Sequence, residues 1–192
     1  QSPIISVVTP QTVASALQRM QLPENTRVDT AVARQIARRE GVKAIIEGEV
    51  HAITGGGFVL TMQLVSADSG QELASVQASA DATKDLIPTI GRLTRRLRSK
   101  MGESLKHLQG SPELAQVTTS SLPALEAYTA GQYAMNVKSD LSAAIPLFRT
   151  AVKLDTSFAM AYRALAVALG NRNQDRDERV RSMEKAFAHT DR

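Results

Sequence analysis

The 192-residue sequence contains no cysteine and no tryptophan. Without cysteine there is no disulfide framework, no thiolate zinc cluster and no thiol nucleophile, and the absence fits either side of a membrane. Aromatic residues make up only 4% of the chain, so the core must be packed from Ala, Leu, Val, Ile and Met, a mixture suited to closely spaced helices. No run of about 20 apolar residues occurs, which argues against membrane insertion by this chain. No secretory leader is visible. A sequence that opens at Gln1 without Met and closes at Arg192 around a helix reads as a fragment of a longer protein.

What is present is ordinary for a globular protein: 43% hydrophobic residues and a net charge of +4. The basic excess is modest. The few Tyr and Phe are not interleaved with Arg and Lys, as a nucleic-acid surface would require. The expected partner is therefore a protein or peptide, with a small ligand as the other option.

Along the chain, Ile4 to Val8 is a β-branched apolar run and predicts a buried strand. Thr9 then caps a helix with Pro10 at its first position, and Val13, Ala16, Leu17 and Met20 recur at helical spacing. A second helix from Asp29 to Glu40 carries Val32, Ala33, Ile36 and Ala37, with Arg34, Arg38 and Arg39 mostly off that stripe; Gly41 stops it. Three strands follow. In the first, Ala44, Ile46, Gly48 and Val50 alternate with Glu47, Glu49 and His51. Phe58, Leu60, Met62 and Leu64 line one side of the second, and Glu72 to Ala80 forms the third. The turns fall at Thr54–Gly57 and Ala67–Gly70. Asp81 to about Met101 predicts a long helix, with Pro88 delaying its start or kinking it.

A polar stretch containing Gly110, Ser111 and Pro112 separates this part from four further helices. These carry Leu125, Tyr128, Ala130, Gly131 and Ala134; Leu141, Ala144, Ile145, Phe148, Ala151 and Val152; Met160, Tyr162, Leu165, Ala166 and Leu169; and Val180, Met183, Ala186 and Phe187. The expected fold class is α+β: a small antiparallel or mixed sheet with helices on one face, then an all-α segment of helical hairpins. The expected division is 1–108, a linker at 109–120, and 121–192.

Chemistry is hard to find. His51, His107 and His189 lie in different elements, and none has a second ligand at i,i+4. Glu47, Glu49 and His51 share one side of a strand and read as its wet face. The glycines Gly55 to Gly57 precede a strand, whereas a phosphate cradle needs a helix N-terminus after them. No protein-kinase catalytic motif occurs. No catalytic, cofactor-binding or metal-binding residue is therefore expected, and no cofactor. Arg92, Arg95 and Arg96 share a face of the long helix and are the candidate basic surface.

Two resemblances sharpen this reading. Ala144, Phe148 and Ala151, followed by Asp155 and Thr156, resemble the second helix and closing turn of a tetratricopeptide repeat. Tyr162, Leu165, Ala166 and Leu169 resemble the first helix of the next repeat, and Gly131 stands at the preceding small-residue position. The usual closing proline is replaced by Thr156. The stretches Arg38 to Val50 and Gln63 to Gly70 resemble the α/β module of the TolB N-terminal and FlgO families. That module followed by tetratricopeptide repeats, joined by Thr118 to Tyr128, resembles the C-terminal region of bacterial transmembrane serine/threonine protein kinases.

The resemblance implies a non-catalytic sensor or interaction region, extracytoplasmic in a membrane protein, although the residues themselves fit a cytoplasmic site equally. The alternatives are an envelope assembly or scaffold protein, and the tail of a transcriptional regulator or adenylate cyclase. Repeats of this kind bind partners along their first helices. This marks Tyr128, Gln132, Met160, Arg163 and Val167 as the candidate groove, with Arg163 suited to clamp a carboxylate.

Overall fold

The computed structural model describes residues 5–23, 26–103, 114, 118–173 and 175–189. The chain divides into two compact units, Gln1–Ser111 and Pro112–Arg192. The fold is α+β: a three-stranded antiparallel sheet with helices in the first unit and an all-helical second unit.

The first unit opens with α1 (Pro10–Arg19) and α2 (Thr30–Arg39), started by Thr9 and Asp29, whose side chains accept from the backbone N–H groups of Thr12 and Val32. Such caps satisfy donors that the helix itself leaves open. Val13, Ala16, Leu17 and Met20 of and after α1 pack with Val32 and Ile36 of α2. Helix α2 ends with Gly41 at φ +69° and a hydrogen bond of 2.8 Å from the Val42 N–H to the Ala37 carbonyl. That left-handed stop is the reason for glycine here.

The strands β1 (Ala44–Ala52), β2 (Phe58–Ser66) and β3 (Glu72–Ala80) form the sheet in sequence order. Cross-strand partners place Ile46, Gly48 and Val50 on the same face as Leu64, Met62 and Leu60, and these on the same face as Ala74, Val76 and Ala78. A short 3₁₀ turn at Thr83–Asp85 precedes α3 (Leu86–Lys100), so the helix starts late and Pro88 falls in its first turn. Helix α3 lies against β2 and β3. Leu60, Leu64, Val76 and Ala80 of the sheet and Ile87, Leu93 and Leu97 of α3 are buried. At the end of α3, the Glu103 N–H bonds the Arg98 carbonyl, and the Glu103 carboxylate takes both Nε and Nη2 of Arg98. This partner raises the Arg98 pKa above its ordinary value, against the opposing effect of burial.

Two expectations for this unit are corrected. Ile5 to Val8 form no strand, and Val7 is exposed; Ile4 lies outside the described residues. The apolar side of β1 is not covered either. Ile46 and Val50 are 56% and 54% exposed, because α3 lies over β2 and β3 instead.

The second unit contains α4 (Leu122–Asn136), α5 (Leu141–Leu154), α6 (Ala159–Asn171) and α7 (Arg176–Ala188). Successive helices pack on one another, and α4 also meets α6. Ser121, Asp140 and Asp175 cap α4, α5 and α7. Ala134, Ala144, Ile145, Phe148, Leu165 and Leu169 form one buried cluster; Ala124, Ala151, Phe158 and Ala161 form another. Gly131 lets α4 approach α5: a Cβ there would stand 2.6 Å from Cε1 of Phe148. Thr119, buried ahead of α4, donates to the Asp155 carboxylate between α5 and α6, which also accepts from the Ser157 N–H at 2.9 Å. Three details differ from the expected stripes. Ala130 is exposed, Gly170 is still helical, and α7 buries Ser182 and Ala186 while Val180 and Phe187 face outward.

Candidate functional site

Tyr128, Gln132 and Asn136 follow one another at four-residue steps along α4, which keeps them on one side of the helix. Gln132 donates through Nε2 to the Tyr128 hydroxyl at 2.9 Å, and Asn136 donates through Nδ2 to Gln132 Oε1. The Tyr128 ring is tilted against Phe158 and Phe148, at centroid distances of 5.0 and 6.0 Å. Burial raises the pKa of its hydroxyl above the ordinary tyrosine value. The Gln132 hydrogen bond and the positive charge of Arg163 act in the opposite direction.

Arg163 is exposed, and no acidic side chain among the described residues pairs with it. Met160 and Val167, three residues before it and four after, are each 40% exposed. Tyr128 and Gln132 are thus joined on α4, while Met160 and Val167 share the side of α6 that bears Arg163. Asn136 extends the row of amides. Its four-residue spacing from Gln132 is the sequence signal for this row. Phe158, fully buried under Tyr128, was missed; it stands just outside the helical pattern.

On α3, Arg92 and Arg96 are exposed and Arg95 is half-buried. Arg92 donates to the Thr89 hydroxyl at 2.7 Å. The neighbouring Arg98 is committed to Glu103, and Lys100 to the Ser75 carbonyl at 2.9 Å. Arg34 and Arg38 of α2, which lie mostly off its apolar stripe, both donate through Nε to the Ala67 carbonyl, at 3.2 and 3.0 Å, and through Nη2 to that of Asp68. They tie α2 to the turn between β2 and β3. His51 contacts Glu49 at 3.1 Å with both side chains well exposed. His189 stacks on Tyr162, and His107 lies outside the described residues. Among the described residues no three His, Asp or Glu side chains converge as a metal site would need, and no helix is long and apolar enough to cross a membrane.

No family model matches the chain, and no curated protein does. Among solved structures it is similar to the LpoB C-terminal domain from Salmonella enterica, at 20% identity and a TM-score of 0.36. The match covers 40% of this chain and 57% of that one.

Proposed function

We propose that this chain is a non-catalytic, protein-binding region of a larger bacterial protein, and that the side of the helical unit bearing Tyr128, Gln132, Asn136 and Arg163 receives the partner. One observation carries the reading. Arg163 is exposed with no acidic partner among the described residues, shares its side of α6 with exposed Met160 and Val167, and bears its charge on the Tyr128 phenol of the hydrogen-bonded row on α4. Such a surface suits a peptide segment that offers a carboxylate to Arg163 and an apolar side chain to Met160 or Val167.

The order of an α/β module and helical hairpins supports a setting in the extracytoplasmic tail of a membrane kinase. An envelope assembly factor is the second setting, and in it the same face would serve as a docking surface. The first test is selection of a displayed peptide library against the whole chain, with each selected peptide re-measured on Arg163→Glu. Acidic peptides whose affinity falls at least about tenfold are expected, since a like charge is set where a partner charge was. Peptides that bind both forms equally would refute the assigned face.

A further inference from the structure

Among the described residues, β1 carries two exposed apolar side chains, Ile46 and Val50, on one face. It is an outer strand of the sheet, paired only with β2 among the described residues, so from Ile46 to Ala52 one row of its backbone donors and acceptors has no strand beside it. On the face shared with α3, Ile46 and Val50 stay more than half exposed, and a Cβ on Gly48 between them would meet nothing within 4 Å. On the other face stand Glu47 and Glu49. Their cross-strand neighbours Gln63 and Thr61 are uncharged, as are Ser75 and Gln77 beyond. Glu49 contacts His51 of the same face at 3.1 Å, neither glutamate pairs with a Lys or Arg among the described residues, and Oε1 of Glu47 is buried without a hydrogen-bond partner.

We infer that this edge of β1 accepts an extended strand from a partner protein, one alternating apolar residues with Lys or Arg. Strand addition supplies main-chain hydrogen bonds, while alternate side chains set the specificity. Here the apolar positions of the incoming strand lie beside Ile46, Gly48 and Val50. Its basic positions, one residue out of phase, lie beside Glu47 and Glu49. The same acidic pair disfavours a second copy of this chain: antiparallel self-pairing about Gly48 would set Glu47 directly against Glu49 twice, and like charges opposite one another destabilise a sheet. The apolar segment from Ile5 to Val8 offers no positive charge to that row.

The test uses the whole chain and three labelled eight-residue probes: one alternating valine and lysine, one alternating valine and glutamate, and one with the first composition in blocks. Binding is followed by fluorescence anisotropy. The alternating basic probe should bind. The other two, and a basic probe N-methylated on the amides of one edge, should bind at least about tenfold more weakly. The double variant Glu47→Lys, Glu49→Lys should invert the charge preference, a readout that mere loss of folding could not produce. Equal binding of all probes, no binding at about 1 mM, or an unchanged preference in the double variant would overturn the inference. So would dimerisation through this edge, or pairing of Ile5 to Val8 with β1 seen by amide exchange.

Discussion

Gly131 shows how one missing methyl group sets the distance between two helices. Alanine is the better helix former by about 1 kcal/mol, so on propensity alone Gly131→Ala should stabilise α4. Its Cβ, however, would meet the fully buried Phe148 ring at 2.6 Å, and Tyr128 leans on that ring from α4. Overpacking of this kind typically costs about 1–3 kcal/mol, which outweighs the propensity gain. Gly131→Ala should therefore lower the urea midpoint of the helical unit, and a higher midpoint would show that Phe148 can yield. Tyr128 is the residue through which pH should act. Because burial raises its pKa, folding favours the protonated phenol. That contribution is fully present below about pH 10, the value of a free tyrosine, and is lost as pH rises through the folded-state value. Tyr128→Phe should flatten the fall of stability above about pH 10, as read from denaturant midpoints across an alkaline series.

Elements are held in place by contacts that differ in how far they reach along the chain, and this decided what could be read in advance. The caps at Thr9 and Asp29 are local and were legible, as were the turns, the three strands and the approximate helix starts; the Ser121 cap, equally local, was not singled out. The Thr119–Asp155 contact spans 36 residues, and nothing in the local pattern of either residue announces it. Thr119→Val would keep the shape but remove the hydroxyl that donates to Asp155 and accepts from the Ser121 N–H at 3.0 Å. Leaving buried polar groups unpaired costs about 1–3 kcal/mol. The exposed control Thr156→Val should change stability by less than about 0.5 kcal/mol, and equal midpoints for the two variants would remove the role given to Thr119. The same division explains the misreadings. The alternation in β1 is local, but whether Ile46 and Val50 are covered depends on where α3 comes to lie. Ile5 to Val8 have strand composition, yet a strand also needs a neighbour, and no local signal supplies one. For the candidate site, the four-residue spacing of Tyr128 and Gln132 was readable. Where Arg163 stands relative to them depends on how α6 packs beside α4, which no local spacing encodes.

At the scale of the whole chain, we propose that the two compact units are independent domains joined between residues 109 and 120. Expressed separately as 1–111 and 112–192, each should melt in its own cooperative transition, and the sum of their circular dichroism spectra should match that of the whole chain. A fragment that remains unfolded alone would show that the units depend on each other. The sequential order of the sheet has a further consequence. Each strand pairs with the one synthesised just before or after it, and the helices of the second unit pack chiefly on their immediate successors. Topologies with such short separations close small loops and fold quickly, and domains generally fold as units from the N-terminal end during synthesis. The sheet is complete in sequence at Ala80, before any helix of the second unit has been translated. A nascent chain on the ribosome thus has few long-range partners to wait for, and at each stage the apolar surface most in need of shelter from aggregation is that of the last element to emerge.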